Sequence, residues 1–134
     1  MTIKERLRAY RDLVLYIRQL ERDMDDLYSK AESMKLNQNN LGTQVQSFKD
    51  PDPIGEIVSE IMDIANIQAE KIERLKEETQ AVEDLIQPLT FWEKRLILLR
   101  YFDGCSWAEV AADMVYSEIW VKQRHGEILQ KLEE

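Results

Sequence analysis

The stretch LTFWEKRLILLRYFDGCSWAEVAADMVYSEIWVKQRHGEILQKL, residues 89–132, decides the fold. It holds three helical segments in quick succession, separated by residues that cap helices. Thr90 and Glu93 have the spacing of a capping box, in which each side chain binds the other residue's backbone N–H. Ser106 and Glu109 repeat that spacing. The caps therefore predict three short helices in this part of the chain.

The boundaries of the three helices follow from these signals. The first runs through FWEKRLILLRYF and ends near Gly104, a suitable C-cap. The second covers WAEVAADM, and the third, EIWVKQRHGEILQKL, follows Ser117 as its N-cap. The sequence shows no strand-like alternation of apolar and polar residues.

Residues 106–132 have the layout of a helix-turn-helix. Such a motif needs small residues where its helices cross, and Ala111 and Ala112 supply them. It also needs an apolar anchor on the second helix, which is Val121, and a capped N-terminus that can approach phosphate, which Ser117 provides. With Val121 packed inward, the inner face also holds Ile128 and Leu132, and the outward residues are Glu118, Ile119, Lys122 and Gln123.

The outward face predicts contacts to DNA. Lys122 can donate hydrogen bonds to the acceptor atoms of guanine, and Gln123 can form hydrogen bonds with the edge of adenine. Trp120 and Arg124 flank this face and are expected to contact the DNA backbone. The predicted DNA-binding residues are Ser106, Ser117, Glu118, Ile119, Trp120, Lys122, Gln123 and Arg124. The alternative is an ordinary three-helix core, in which Trp120 is a partly buried interface residue.

Residues 1–88 predict two long helices. Apolar residues recur at steps of three and four from about Thr2 to Lys35, and a second apolar stripe runs from Pro53 to about Gln87. Asp52 suits the N-cap of the second helix. Thr79 interrupts the second stripe. The two stripes predict an antiparallel, coiled-coil-like hairpin, which can also pair with a second copy of the chain.

The polar stretch NQNNLGTQVQSFKDPDP, residues 37–53, has no apolar period and predicts a long loop between these helices. The expected fold is therefore all-α. A helical hairpin domain is expected over residues 1–88, and a helix-turn-helix DNA-binding domain over residues 89–134.

The net charge of −8 argues against nucleic-acid binding, because phosphate contacts dominate affinity and need cations. Eleven acidic and four basic residues lie in 37–88, so the acidic excess is concentrated in the middle of the chain. The single cysteine, Cys105, excludes an intramolecular disulfide and suits a reducing cytosol. The sequence contains neither a signal-peptide pattern nor an apolar run that could span a membrane, and a cytoplasmic location is expected.

The sequence offers little for catalysis. It contains no phosphate loop, zinc signature or catalytic triad pattern, so we expect neither an enzyme nor a bound metal or cofactor. His125 is the only histidine, and a packing or phosphate-contact role suits it better than a metal site. Cys105 lacks an obvious neighbouring base and is expected to be a partly buried structural thiol.

The C-terminal stretch resembles the fourth region of bacterial sigma factors. The matching residues are Leu89, Glu93, Leu99, Arg100, Tyr101, Gly104, Ser106, Glu109, Val110, Ala111, Ser117, Val121 and Leu132. Further details, namely Ser106-Trp107, Tyr116-Ser117 and His125-Gly126, are similar to phage-encoded late-gene regulators of the RinA and ArpU type. Members of that group also place long helices before the sigma-like domain, and the entry from Asp52 to Ile57 fits their layout.

Two positions depart from the sigma-like pattern. Val115 stands where many such modules have glycine in the turn, and a β-branched residue does not easily take a positive φ. We therefore expect the turn to be built differently. Glu118 is acidic at a position that is often basic. Its carboxylate can either accept a hydrogen bond from the amino group of cytosine or repel a DNA phosphate.

The resemblance implies a transcription regulator that places helix 117–132 in the major groove of double-stranded DNA. Its implied partners are promoter DNA and RNA polymerase, and the long helices imply a homo-oligomer. The alternative function is a helical assembly or protein-interaction module, such as a small terminase-like DNA-packaging subunit. The acidic net charge favours this alternative.

Overall fold

The computed structural model describes residues 1–40 and 52–133, and side chains from 37 to 40 are not part of that description. Every regular element within these two ranges is helical, which confirms the all-α fold. The elements are α1 (Ile3–Asn40), α2 (Pro53–Ile86), α3 (Phe91–Ile97) with a π-helical turn (Leu98–Phe102), α4 (Trp107–Met114) and α5 (Glu118–Glu133). None of the helices described is long and apolar enough to cross a membrane.

The two long helices begin and end close to their predicted bounds, with one correction. The loop predicted from residue 37 begins too early, because α1 continues to Asn40. Asparagine and glutamine lower helix stability only modestly, and no glycine or proline precedes Gly42, so nothing stops the helix at 37. The rest of that predicted loop, residues 41–51, lies outside the described residues. At the start of α2, Asp52 accepts a hydrogen bond from the backbone N–H of Gly55 at 3.0 Å.

The chain forms two compact units that both include parts of the long helices. We call Met1–Tyr16 with Ile72–Glu134 the core unit, and Ile17–Lys71 the hairpin unit. The predicted division into a hairpin domain over residues 1–88 and a DNA-binding domain over residues 89–134 differs from this grouping and stays a prediction. Among the described residues of the hairpin unit, the buried apolar ones are Ile17, Leu20, Ile57 and Ile61.

The core unit is built around the three short helices, but they do not complete its interior alone. Leu7 of α1 and Val82 of α2 are both fully shielded from solvent, at 0% exposure, and belong to the same apolar cluster as the short helices. The fully buried side chains of that cluster are Leu7, Val82, Leu96, Ile97, Val110, Val121 and Ile128. The start of α1 and the end of α2 therefore share one apolar core with the short helices.

A polar contact joins α1 to α2 within the core unit. The Tyr10 hydroxyl and the Thr79 hydroxyl lie 2.7 Å apart, and Thr79 Oγ1 also donates to the carbonyl of Leu75 at 2.6 Å. The Tyr10 ring packs on Phe102 with ring centres 4.8 Å apart. The beginning of α1 therefore meets the end of α2. Thr79, the predicted interruption of the stripe, is therefore a hydrogen-bonded part of the helix contact.

The turn between α4 and α5 overturns one expectation. Val115 takes φ 62° and ψ 44°, the left-handed conformation that the sequence argues against. The backbone N–H groups of Val115 and Tyr116 both donate to the carbonyl of Ala111, which ends α4 in the manner usually provided by glycine. The Val115 side chain is 84% exposed, so no neighbour crowds it and the strain is confined to its own backbone.

His125 lies buried at the centre of the core unit. Its Nε2 shares a hydrogen bond with the Tyr101 hydroxyl, and the Trp107 ring packs against it edge-on with centres 4.7 Å apart. Burial first, and then nearby positive charges with Arg100 foremost, lower the pKa of His125 to about 4. The imidazole is therefore neutral at neutral pH.

Replacing Val115 with glycine should stabilise the protein by about 1 kcal/mol, because it removes left-handed strain at an exposed position. The matched control is Ala69→Gly in α2, where the alanine is also exposed but helical, and it should destabilise by about 1 kcal/mol. Urea unfolding measures both variants. A loss of stability in Val115→Gly as large as that in Ala69→Gly would contradict the strained turn.

Acidification should weaken the fold through His125. The unfolded chain binds a proton at this histidine near its ordinary pKa, whereas the folded chain excludes the proton until about pH 4. The stability that neutral His125 provides is therefore present above about pH 6.5 and is lost as the pH falls toward 4, with about 1 kcal/mol lost by about pH 5.5.

Urea unfolding at pH 7 and pH 5.5 tests this, with His125→Phe as the variant that cannot titrate. The variant should lose less stability than the wild type over that interval, by about 1 kcal/mol. Tyr101→Phe removes the hydrogen bond but keeps the histidine, and should retain the pH dependence. Equal losses in wild type and His125→Phe would contradict the buried neutral histidine.

Candidate functional site

Helix α5 has an inner face locked into the core and an outer face open to solvent. Val121 and Ile128 are 0% and 1% exposed, and Leu132 packs partly buried against the same cluster. Lys122 and Gln123 are exposed. The orientation predicted from the sequence is therefore the one that the structure has.

The N-cap and first two turns of α5 present outward residues of different chemistry. The Ser117 hydroxyl accepts a hydrogen bond from the backbone N–H of Trp120 at 3.2 Å and caps the helix. Glu118 and Ile119 are exposed, and Glu118 Oε1 lies 3.1 Å from Lys122 Nζ. An exposed ion pair of this kind contributes about 0.3–0.5 kcal/mol, so Lys122 can leave it readily for a stronger acceptor.

Trp120 and Arg124 belong to an aromatic cluster that supports the start of α5. The Trp120 ring stacks on Tyr116 with centres 3.9 Å apart and meets Trp92 edge-on at 5.2 Å. Arg124 hydrogen-bonds to Glu127, and its guanidinium lies 5.6 Å from the ring centre of Trp92. Both predicted backbone-contact residues are half-buried, so their visible role is to hold the helix. Their contact with DNA stays a prediction.

The crossing of α4 and α5 uses one of the two predicted alanines. Ala111 is 6% exposed, whereas Ala112 points to solvent. Neighbouring residues on a helix point about 100° apart, so only one of the pair can face the partner helix. At the start of α4, the Ser106 hydroxyl accepts the N–H of Glu109 at 3.2 Å, while the Glu109 carboxylate accepts the N–H of Ser106 at 3.1 Å. The predicted capping box is therefore formed. The hydroxyl of exposed Ser106 accepts in this box, so it can still donate a hydrogen bond to a partner.

The structure also contains a basic pocket that the sequence analysis missed. Its volume is about 240 Å³, and it lies within the core unit. Its cationic residues are Lys4, Arg8, Arg11 and Arg100, and Asp12 is the one carboxylate that lines it. The remaining wall consists of Tyr101, Trp107 and His125. The spacing of Lys4, Arg8 and Arg11 along one face of α1 is the signal that could have indicated a basic surface.

Two of the pocket's arginines are fixed by backbone carbonyls. Arg11 donates from Nε to the carbonyl of Arg100 at 3.1 Å and from Nη2 to that of Gly104 at 3.3 Å. Arg100 donates from Nη1 to the carbonyl of Cys105 at 2.9 Å, and its guanidinium lies 4.3 Å from the ring centre of Trp107. Burial first, and then the charge of Arg11, lower the pKa of Arg100.

Outside these surfaces, few of the described side chains are placed for metal binding or catalysis. Within residues 1–40 and 52–133, no group of three or more His, Cys, Asp or Glu side chains could hold a metal ion. Cys105 is partly buried, directly after Gly104, which has φ 71°. Glu93 is 8% exposed, and its carboxylate accepts the N–H of Thr90 at 3.0 Å and pairs with Lys131 at 3.0 Å. The backbone hydrogen bond from Thr90 is the main reason that the pKa of Glu93 is lowered.

Comparison with known proteins identifies a family but gives no activity. Neither the curated proteins nor the solved structures contain a significant match to the chain. One family model matches residues 21–134, which is the second half of α1 and every later helix. The chain therefore belongs to the DUF722 family, which is described as a protein family of unknown function.

Proposed function

We propose that the protein is a DNA-binding transcription regulator that reads the major groove with α5. The observation that carries this proposal is the division of α5 into two faces. Val121 and Ile128 fix the helix to the core, and Lys122 and Gln123 stand exposed on its opposite side. A recognition helix requires this arrangement, because its base-contacting side chains need a rigid support.

The chemistry of the outer face supports sequence-specific contacts. Lys122 can donate to guanine, and Gln123 can bind adenine through two hydrogen bonds. Ile119, at 72% exposure, can pack on the methyl group of thymine, and Glu118 can accept from the amino group of cytosine. These four residues lie in the first two turns of α5, the part of a recognition helix that approaches base edges.

The charge of the chain limits what one copy can do. With a net charge of −8 and Glu118 paired to Lys122, a monomer provides little of the electrostatic affinity on which DNA binding depends. We infer that two or more copies, or RNA polymerase, contribute the missing affinity. Exposed Val58 and Met62 of α2, at 47% and 61%, provide apolar surface through which the long helices could associate.

A protein-interaction or assembly module remains the second candidate, and one observation favours it. Apolar side chains are exposed around the turn before and within α5, with Val115 at 84%, Ile119 at 72% and Tyr116 at 49%. Exposed apolar groups that lie close together are typical of protein contact surfaces. In this alternative, α5 binds a protein and the chain assembles into oligomers such as the rings of DNA-packaging subunits.

Selection from a library of random DNA duplexes at moderate salt tests the first function. The full chain should enrich a defined site, and Lys122→Ala should weaken binding to that site by about tenfold or more. Gln123→Ala should relax the preference at one base pair, because it removes a base-edge contact and leaves phosphate contacts intact. Glu118→Gln should strengthen binding, since it removes a negative charge and releases Lys122, while the amide oxygen can still accept from cytosine.

The matched control is Lys30→Ala, which removes the same charge from an exposed position of α1 and should change binding little. The proposal fails if no site is enriched, or if Lys122 and Gln123 can be replaced without effect. Light scattering with and without the enriched duplex addresses the alternative: oligomers that form without DNA and do not bind it would favour the assembly module.

A further inference from the structure

The basic pocket of the core unit concentrates positive charge in a chain that is acidic overall. Four cationic side chains and one carboxylate line it, although the chain as a whole carries a net charge of −8. Bringing like charges together is unfavourable unless an opposite charge compensates them. The pocket therefore has the electrostatic character of a site for an anion.

The cations at the outer side of the pocket are not neutralised by the protein. Lys4 and Arg8 are exposed, and neither forms an ion pair or a side-chain hydrogen bond with any residue in the described ranges. They lie one helical turn apart on α1, so both ammonium and guanidinium groups can reach the same ligand. Their charge is available to a partner from outside.

The inner cations are held in place and still have donors to offer. Arg11 uses Nε and Nη2, and Arg100 uses Nη1, to bind backbone carbonyls within the π-helical turn and just after it. Each guanidinium has five N–H groups, so several remain for a ligand. A guanidinium fixed in this way loses little conformational freedom when it binds an oxyanion through two parallel hydrogen bonds.

The lining and the size of the pocket restrict the anion that it can hold. Trp107 lines the pocket beside Arg100, whose guanidinium lies 4.3 Å from the centre of the Trp107 ring. The same cationic groups help to keep His125 neutral, and a bound anion would reverse their effect. A cavity of about 240 Å³ is smaller than a typical pocket for a drug-sized ligand and suits one phosphate group with little attached to it.

We propose that this pocket binds a phosphate group, supplied either by the DNA backbone or by a small phosphorylated ligand. The DNA source rests on the proposed function, in which α4 is the first helix of the helix-turn-helix and crosses the backbone. The small-ligand source does not depend on DNA binding. Both sources use the same chemistry, namely charge-assisted hydrogen bonds from Arg8, Arg11, Arg100 and Lys4.

Binding to the full chain is measured at pH 7 and constant ionic strength, with inorganic phosphate in one arm and the enriched duplex in the other. Calorimetry gives the dissociation constant. The imidazole resonances of His125 report the pocket itself, because the chain contains only one histidine. Phosphate in the pocket should shift these resonances in a saturable way.

Three variants test whether the pocket is responsible. Arg8→Gln should weaken binding by about tenfold, because it removes a charge-assisted contact. Asp12→Asn should strengthen it, because it removes the one carboxylate from the lining. Lys30→Gln removes a positive charge from the same helix at an exposed position outside the pocket, and should have little effect.

The two arms separate the sources. Saturable phosphate binding that responds to Arg8 and Asp12 supports the pocket, even if the chain binds no DNA and the proposed function fails. If only the duplex shifts His125, and Arg8→Gln weakens binding equally for all sequences, the backbone is the source. If the duplex binds through Lys122 and Gln123 while neither probe shifts His125, the phosphate site is overturned and the proposed function stands.

Discussion

The fixed position of α5 depends on a core that the start of α1 and the end of α2 complete. Val121 and Ile128 of α5 pack into the same cluster as Leu7 near the start of α1 and Val82 near the end of α2. Without these two contributions, the short helices would expose part of their apolar faces to water, and burial of apolar surface is the main term that holds a small domain together. The long helices therefore support the short ones directly.

This construction brings together two polar surfaces of the core unit. The outer face of α5 carries Lys122 and Gln123, whereas His125, one turn further along, points inward and contributes to the wall of the basic pocket. The pocket exists only because the start of α1 packs on the short helices, since α1 provides most of its cations. If both proposals hold, a base-reading surface and a phosphate site share one rigid support.

Local signals in the sequence predicted the local structure well. Both capping boxes, the helices that they open and the inward position of Val121 follow from spacings of three or four residues. Two predictions were wrong because each considered a residue without its surroundings. Ala112 cannot face α5 together with Ala111. Val115 accepts a left-handed backbone because the surrounding hydrogen bonds fix it. The basic pocket was missed because its residues are about ninety positions apart, and only the tertiary packing brings them together.

Photo-crosslinking from position 123 tests the role of α5 most directly. A benzophenone side chain placed at Gln123 lies on the exposed outer face, so it should crosslink to bases of the bound duplex at one defined position. The same group at Lys30, on the exposed surface of α1, should give no crosslink. Crosslinks at 123 confined to a protein partner, or equal crosslinking to DNA from both positions, would contradict a major-groove role for this helix.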